Sequence, residues 1–382
     1  MSSSDTRAVK MFAVKTRRQW NHFHQLPARL NSGDSAWVPP LALQLRQMWA
    51  PRHPFFRHAR AQAWVAMRDG QPVGRISAQV DELRESGEQR QIGHFGQLEA
   101  IDEAGVFKAL FGCAGQWLGE RGKTRLQGPF DLSINQQCGV LVDGYEHAPM
   151  MMMNYNPPYY STRIEEQGFA GVAELLAYRG DPDVPSPPAV ERLLARMGGR
   201  LEIVPVTRSD LAGKAGLMRS IFNEAWHGNW GFVPLTEAEF AHMAAEMKLL
   251  VRPGYVRIAY LDGEPVGFIV ALPDLNGMIA DLGGRLWPTG AIRLLSRIAR
   301  KKFNRVRIPL MGVVEKHQHS IRGAAISYGL IDSVRKCIVA DGVKLTEQSW
   351  ILEQNRGVRS IIESLQFKVA QRFRIYEREL AA

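Results

Sequence analysis

The sequence predicts an α/β fold of the α+β kind, with mixed sheets in two tandem, structurally similar domains. One observation is an internal repeat: Val65-Ala-Met-Arg-Asp-Gly-Gln-Pro-Val-Gly74 is echoed 193 residues later by Ile258-Ala-Tyr-Leu-Asp-Gly-Glu-Pro-Val-Gly267. A second is that the predicted strands are joined both by hairpins and by helices, which is typical of a mixed sheet. We therefore expect an N-terminal domain at 1–180, a Pro-rich linker at 181–198 and a C-terminal domain at 199–382.

The N-terminal half starts its predicted sheet with the first copy of the repeat. Apolar runs flank Asp69 and Gly70, a dipeptide that readily takes the positive φ angles of a tight hairpin. Phe107, Leu110, Ala114, Trp117 and Leu118 recur at helical spacing and predict a long helix. In chain order we predict a strand at 92–99, this helix at 103–121, a strand at 125–127, a loop at 128–158, a short helix at 161–167 and a strand at 172–178.

The C-terminal half repeats this order around its own hairpin. Before the hairpin we predict a strand at 201–205 and helices at 211–225 and 237–250. After it come an inserted segment at 275–305, a strand at 307–314, a helix at 323–340, a strand at 347–353, a short helix after Asn355 and a last strand at 373–378. Each half then reads as one mixed α/β layer.

Composition favours an anionic partner. The formal net charge is +10 and the pI is about 9.6, but no basic stretch alternates with aromatic residues, so nucleic acid is not singled out. The three cysteines lie far apart, without metal-ligand spacing. No run of about 18 apolar residues occurs, so we expect a cytoplasmic protein, in peripheral contact with the inner membrane at most.

Two segments of the C-terminal half carry the functional signal. Ser320-Ile-Arg-Gly-Ala-Ala325 is a small-residue turn that opens a helix, and Asn355 ends a strand before a short helix that closes on Phe367. This order of elements, together with the Asp-Gly-x-Pro-Val-Gly hairpin, resembles the GNAT superfamily of acyl-CoA-dependent N-acyltransferases, here as a tandem pair. Four places of the superfamily pattern are filled by Asn355, Val358, Ile361 and Phe367.

The sequence departs from the GNAT pattern at three places. Ile362 replaces the tyrosine that is thought to protonate the departing thiolate, and Gln366 replaces a glycine. The pyrophosphate signature keeps Gly323 and Ala325 but has Ser320 in its first place. Segments 128–135, 223–234 and 272–276 look like a bacterial tandem-GNAT subfamily that includes the bacterial ceramide synthases, which acylate the amine of a sphingoid base.

The resemblance implies an acyl carrier, either acyl-CoA or acyl carrier protein, and no metal. Backbone N–H groups at a helix N-terminus bind phosphate, so the pyrophosphate is expected on Arg322, Gly323, Ala324 and Ala325. Strand amides at Gly312, Val313 and Val314 are expected to bind pantetheine and polarise the thioester carbonyl, with Asn355 as a further carrier-binding residue. The N-terminal half has no glycine signature at 101–108, so only the C-terminal half is expected to bind the carrier.

N-acylation also needs a base for the attacking amine and an acid for the thiolate. Strand alternation would place Glu347 and Glu353 on one face, and Tyr328 is a candidate acid in place of the missing tyrosine. For each carboxylate, a solvated or salt-bridged surface role is the competing interpretation. We name Glu347, Glu353 and Tyr328 as the catalytic candidates.

The acceptor is expected between the halves, walled by two loops. Residues 223–234 are rich in Trp, Asn and Gly, a composition more typical of a binding loop than of a core segment. The candidate residues are Asn223, Trp226, Asn229, Trp230 and Phe232, with Ser133 and Asn135 from the loop at 128–158. An aromatic clamp that only packs the halves together is the alternative.

The inserted segment contains a basic amphipathic helix at 291–303. Arg293, Arg297 and Arg300 line one face, beside an apolar face, and such a helix can lie in an anionic membrane interface. A solvated helix packed on its own domain is the other interpretation. The favoured function is an N-acyltransferase with a sphingoid-base acceptor; a non-catalytic acyl-CoA sensor and an aminoacyl-tRNA-dependent transferase remain open.

Overall fold

Strands and helices alternate along the whole chain in the computed structural model, which describes residues 8–84, 87–300 and 303–380. The first half contains β1 (Lys10–Ala13), α1 (Arg17–Leu30), α2 (Ala42–Met48), β2 (Ala59–Arg68), β3 (Gln71–Asp81), β4 (Ile92–Ala100), α3 (Ala104–Gly119), β5 (Arg125–Gly128), β6 (Val140–Asp143), α4 (Tyr159–Glu165) and β7 (Ala170–Gly180). The second half contains α5 (Pro188–Met197), β8 (Leu201–Pro205), α6 (Leu211–Trp226), α7 (Glu237–Met247), β9 (Val256–Leu261), β10 (Glu264–Pro273), α8 (Leu275–Ile279), α9 (Gly290–Ala299), β11 (Arg305–Val313), α10 (Ile321–Ala340), β12 (Leu345–Leu352), α11 (Arg356–Ser364) and β13 (Lys368–Glu379).

The chain divides into two compact units. Unit 1 comprises Met1–Glu174, Gly283–Arg285 and Phe373–Ala382, and unit 2 comprises Leu175–Leu282 and Leu286–Arg372. The last residues of the chain, predicted in the C-terminal domain, therefore group with unit 1. Part of the predicted linker is helical, because α5 begins at Pro188, and proline suits the first turn of a helix, where its missing N–H has no intrahelical role.

Unit 1 has a mixed sheet in the order β1-β2-β3-β4-β5-β13. The strands β1 to β4 pair antiparallel, whereas β4 and β5 run parallel and are connected through α3. Its core is rich in aromatic side chains: Phe95, Phe107, Phe111 and Phe169 are buried, and the rings of Phe111 and Phe169 lie 4.5 Å apart. The predicted mixed α/β class is confirmed.

Unit 2 has a sheet of the same kind, in the order β7-β12-β11-β10-β9-β8. The strands β8 to β11 pair antiparallel, β11 and β12 run parallel, and β12 pairs antiparallel with the end of β7. Both copies of the predicted hairpin take positive φ at their turn dipeptides, with φ of 49° and 76° at Asp69-Gly70 and of 52° and 85° at Asp262-Gly263.

The first 58 residues hold elements that the sequence analysis did not predict. They are β1, α1, α2 and a short 3₁₀ turn at Pro54–Arg57. Helix α1 begins with a capping box, in which Thr16 accepts from the backbone N–H of Gln19 and the Gln19 side chain accepts from that of Thr16. None of the helices in the described ranges is long and apolar enough to span a bilayer.

Candidate functional site

Two parallel strands of unit 2 form a fork. Register pairs between β11 and β12 run from Arg305 opposite Leu345 to Ile308 opposite Gln348. Beyond that point no pairing between them occurs in the described residues, although both strands continue. One edge of β11 therefore faces an opening rather than a neighbouring strand. We call this region the fork.

A β-bulge in β11 lies at the base of the fork. Against β10, Leu310 is opposite Val270 and Arg307 is opposite Leu272, so the two residues between them on β11 face a single residue on β10. One of the two is Pro309, which has no N–H for a ladder and is therefore found in strands mainly at bulges and edges. The bulge turns β11 away from β12 where their pairing ends.

The open edge of β11 presents backbone groups of two residues. The N–H of Val314 donates to Val266 O on the β10 side (2.9 Å), and antiparallel ladders alternate, so Met311 and Val313 direct their N–H and C=O groups into the fork. The Met311 carbonyl accepts from the indole of Trp226 (3.2 Å), and the Val313 carbonyl accepts from Gln318 Nε2 (2.9 Å). The two N–H groups point to where a carrier would lie.

The three predicted strand amides, those of Gly312, Val313 and Val314, do not all face the fork. The Val313 amide faces the fork, whereas the amides of Gly312 and Val314 face β10. Gly312 has a packing role instead, because a Cβ there would lie 3.1 Å from the Cβ of Ala225 in α6. Met311 was missed by the sequence analysis; Pro309 inside a predicted strand was the signal for the bulge that positions it.

The N-terminus of α10 is the predicted pyrophosphate site. Ser320 caps the helix: its Oγ accepts from the N–H of Gly323 (3.0 Å), and its carbonyl accepts from Ala324 (3.0 Å). Ala325 N–H lies within the helical ladder, which leaves the first-turn amides of Ile321 and Arg322. A phosphate would therefore meet Ile321 and Arg322 first, and would reach the Gly323 amide only after the Ser320 side chain turns away.

Gly323 is required by packing as well as by the expected phosphate. A Cβ at this position would lie 2.1 Å from the carbonyl oxygen of His317 in the preceding loop. Any side chain at position 323 would displace that loop. A substitution of Gly323 thus tests packing and carrier binding together.

The Asn-to-Phe segment has clear structural roles. Asn355 caps α11 by accepting from the N–H of Val358 (3.2 Å), and Ile362 is 1% exposed in the place of the family tyrosine. Phe367 packs on β7, since a Cβ at Gly180 would lie 2.8 Å from its ring. The Asn355 side-chain oxygen is thus engaged in the cap in this structure.

Glu347 lies in a buried row of charges across three strands. Its register neighbours are Arg307 on β11 and Arg179 on β7. One carboxylate oxygen accepts from Arg179 Nε (2.8 Å), and the other accepts from Ser349 Oγ (2.8 Å) and lies 3.8 Å from Arg307 Nε. The Glu347 side chain is 0% exposed.

Glu353 has different surroundings, so the predicted common face for the two carboxylates is wrong. The strand ends at Leu352, and its pairing with β7 shifts register between Gln348 and Ile351, which breaks the alternation. The Glu353 carboxylate is 47% exposed and accepts from Arg372 Nη1 (3.0 Å).

Tyr328 links two helices of unit 2. Its hydroxyl lies 2.8 Å from Ser364 Oγ, which joins α10 to the last residue of α11. The side chain is half-buried.

The aromatic loop of unit 2 is anchored beside the fork. The Asn223 side-chain amide makes two hydrogen bonds with the backbone of Leu235: its Oδ1 accepts from the Leu235 N–H (2.9 Å), and its Nδ2 donates to the Leu235 carbonyl (3.1 Å). Trp226 stacks on Phe222 with centroids 5.1 Å apart, and its indole reaches the open edge of β11. The Asn229 N–H closes a turn onto the Trp226 carbonyl. Of the predicted acceptor residues, Trp226 is brought to the fork and Asn223 is a structural clamp.

The other predicted acceptor residues are half-buried, except Ser133, which is buried. Trp230 and Phe232 are half-buried, and the Phe232 ring lies 6.3 Å from that of Phe222. In unit 1, Ser133 Oγ accepts from the N–H of Asn135 (3.3 Å), within a turn of the predicted loop.

Unit 1 has a similar parallel pair, but its open edge is occupied by the chain itself. Pairing between β4 and β5 ends at His94 opposite Gln127, while β4 continues to Ala100. The segment after β5 fills this edge: Phe130 N–H donates to Phe95 O (2.7 Å), and Gln97 N–H donates to Asp131 Oδ1 (2.9 Å). The expectation that only the C-terminal half binds a carrier stays a prediction.

The basic helix of the inserted segment is α9. Arg297 forms a two-point ion pair with Asp281 (2.6 and 2.8 Å), and Arg293 also pairs with Asp281. Two apolar residues of α9 are exposed, Ile292 at 70% and Leu295 at 51%, and Trp287, just before the helix, is 86% exposed. Of the predicted helix at 291–303, residues 301 and 302 lie outside the described residues.

The chain is similar in sequence to two bacterial proteins over nearly its full length. No family model matches the chain. The chain is 39% identical over 377 residues to the bacterial ceramide synthase of Caulobacter vibrioides, covering 97% of this chain and 98% of that protein. It is 38% identical over 359 residues to protein YghO of Escherichia coli, covering 94% and 92%.

Solved structures give the fold. A tandem GNAT protein from the clavulanic acid biosynthesis pathway matches with a TM-score of 0.57 at 13% identity, covering 98% of this chain and 99% of that one. A GCN5-related N-acetyltransferase from Sphaerobacter thermophilus matches with a TM-score of 0.53 at 12% identity, covering 98% and 96%. The chain thus has the tandem GNAT fold and belongs to the family of the bacterial ceramide synthase.

Proposed function

We propose that this chain is an N-acyltransferase that moves an acyl group from acyl-CoA to the amine of a long-chain sphingoid base. The observation that carries the proposal is the near full-length similarity to a bacterial ceramide synthase. The fork in unit 2 supports it, because it supplies backbone donors beside an unpaired strand edge. Acyl carrier protein is the alternative donor.

The proposed reaction has a simple electron balance. The amine nitrogen attacks the thioester carbon, the carbonyl electrons move to oxygen, and the C–S bond then breaks to release a thiolate. The amine loses one proton and the thiolate gains one. N–H groups two residues apart on a strand lie about 6.6 Å apart, so only one of the Met311 and Val313 amides would donate to the developing oxyanion. The other would donate to an amide carbonyl of the pantetheine arm.

The acid and base are proposed from the same three residues. Tyr328 is the proposed donor to the thiolate, since its half-buried hydroxyl lies between α10 and α11. A base must reach the proton that it removes. The Glu353 carboxylate is exposed, whereas both carboxylate oxygens of Glu347 are enclosed by protein donors. Of the two, Glu353 is therefore the one that an amine could reach in this structure.

The activity is tested with purified protein, an acyl-CoA and sphinganine. Mass spectrometry should detect the N-acyl product, with one free CoA released for each product. Saturable CoA binding without any product from a panel of amines would contradict the enzyme and favour the sensor. A product formed only with added transfer RNA, and lost on RNase treatment, would favour the aminoacyl transferase.

Carrier binding is tested by charge reversal in α10. Arg322 is exposed at the helix N-terminus, so Arg322→Glu should weaken CoA binding without disturbing packing. Lys336→Glu is a matched control, because Lys336 is 69% exposed toward the other end of the same helix. Equal CoA affinity in the two variants would contradict the proposed phosphate site.

A lipid acceptor also suggests peripheral contact with an anionic membrane through α9. The helix carries Arg293 and Arg297, is followed by Arg300 and contains no acidic residue. Exposed apolar side chains on it, Ile292 and Leu295, and just before it, Trp287, are suited to the interface. Because two of these arginines pair with Asp281, the better variant replaces Trp287, Ile292 and Leu295 with serine. It should lose flotation with vesicles containing anionic lipid.

The control for this experiment changes exposed apolar residues elsewhere in unit 2. Val204 is 44% and Leu249 46% exposed, and serine at both positions should leave flotation unchanged. Equal flotation of the α9 variant and the parent protein would exclude α9 as the contact.

A further inference from the structure

Gln348 carries a buried hydrogen-bond donor at the base of the fork. It is the last residue of β12 paired with β11, and it is 4% exposed. Its side-chain Nε2 is fully buried and has no hydrogen-bond partner in the described part of the chain. Buried polar groups are nearly always satisfied, and an orphaned one costs free energy. This donor therefore calls for an acceptor from outside the chain.

The neighbours of Gln348 show which face of the sheet it occupies. Its register partners are Ile308 on β11 and Tyr178 on β7, and directly opposite residues share a face. The Tyr178 hydroxyl lies 2.6 Å from Glu363 Oε1 and accepts from Arg359 Nε (3.0 Å), both on α11. The Gln348 side chain thus lies on the α11 face, where the two strands separate.

We propose that the side-chain amide of Gln348 donates a hydrogen bond to a carbonyl oxygen of the bound acyl carrier. The inference rests on the proposed function. A pantetheine thioester offers two kinds of acceptor, the thioester carbonyl and the amide carbonyls of the pantetheine arm. The lone pair of an attacking amine must point at the thioester carbon, so it is not available to accept from Nε2. Gln348 would act with the N–H groups of Met311 and Val313 from the opposite side of the fork.

The test is Gln348→Met in the full chain, which keeps the side-chain length and removes the amide. Loss of Nε2, which has no partner among the described residues, should not lower the melting temperature measured without ligand. The dissociation constant for octanoyl-CoA, measured by calorimetry without amine, should rise about 3- to 10-fold, as expected for one lost hydrogen bond. An equal loss for CoA assigns the bond to the pantetheine arm; a loss for octanoyl-CoA alone assigns it to the thioester.

Thr346→Val is the matched control. Thr346 is 2% exposed, its Oγ1 is also buried without a partner in the described residues, and it lies opposite Val306 inside the paired part of β12. It should leave both affinities unchanged.

One result would overturn this inference and leave the proposed function standing: unchanged affinities in Gln348→Met while the parent protein binds CoA. If the parent protein bound neither CoA nor octanoyl-CoA, that result would instead contradict acyl-CoA as the acyl donor in the proposed function.

Discussion

Replacing Glu347 with glutamine tests whether its carboxylate stabilises the sheet or acts as the base. In the folded chain this carboxylate is enclosed between Arg179 and Arg307, and Arg307 is 1% exposed. Glu347→Gln keeps the shape but removes the carboxylate that lies between the Arg179 and Arg307 guanidinium groups. Removing one partner of a buried ion pair costs about 3 to 5 kcal/mol. At about 2 to 4 °C per kcal/mol, the melting temperature should fall by roughly 6 to 20 °C.

A second substitution checks the origin of this loss. Adding Arg307→Gln to Glu347→Gln returns the net charge of the row to that of the parent protein. The double variant should therefore be more stable than Glu347→Gln alone, with a coupling of about 0.5 to 3 kcal/mol. Urea unfolding of the parent protein, Glu347→Gln, Arg307→Gln and the double variant gives the four free energies of this double-mutant cycle. Glu353→Gln is the exposed comparison, and the loss of its pair with Arg372 should cost about 1 kcal/mol or less.

Activity measured below the melting temperature completes the experiment. If Glu347 only organises the strands, the folded fraction of Glu347→Gln should retain kcat within about tenfold. An unchanged melting temperature with a loss of activity of about 100-fold or more would refute this reasoning and identify Glu347 as the base.

Three further predictions follow from other residues. Ser320→Ala should cost about 1 kcal/mol of stability in the free protein, and less with saturating CoA, because a phosphate then takes the Gly323 N–H; an equal loss with and without CoA would contradict this. Tyr328→Phe should lower kcat about 100-fold or more without changing CoA affinity, and an unchanged kcat in steady-state assays would remove it as the acid. Burial raises the pKa of Glu99 from 4.5 to about 7, so its contribution to stability is full below about pH 4.5 and is lost as the pH rises through 7. Glu99→Gln cannot titrate and should gain up to about 3 kcal/mol relative to the parent protein between pH 4.5 and 8 in urea unfolding, whereas a constant difference would contradict the raised pKa.

Much of the fold could be predicted because its signals are local. The Asp-Gly turns of both hairpins require positive φ, and the strand at Leu201–Pro205 was predicted with both boundaries correct. The first strand and helix were missed because no repeat covers them, although Thr16 and Gln19 form a readable capping box. The prolines before residue 188 indicated a linker, but Pro188 instead begins a helix.

The site was less predictable because it depends on tertiary pairing. The sequence placed Val313 in the first strand of the fork, but the pairing of β11 with β10 decides that Met311 and Val313 share one edge while Gly312 faces the other. The sequence alone could not show that Arg179 and Arg307 flank Glu347, since these residues meet only through the register of three strands. The unsatisfied amide of Gln348 likewise exists only in the packed structure.

The edge of β4 in unit 1 can be compared with the edge of β11 in unit 2. In unit 1, the β4 edge beside its own bulge holds the carboxylate of Asp131 through the N–H of Gln97. This contact shows that an N–H group of such an edge pairs with a carboxyl oxygen, although burial raises the pKa of Asp131 and so disfavours its charged form. In unit 2, the corresponding edge at Met311 and Val313 has no such internal carboxylate in the described residues. A thioester oxygen that becomes an oxyanion is the ligand that matches this edge, which is why we assign the chemistry to the fork of unit 2.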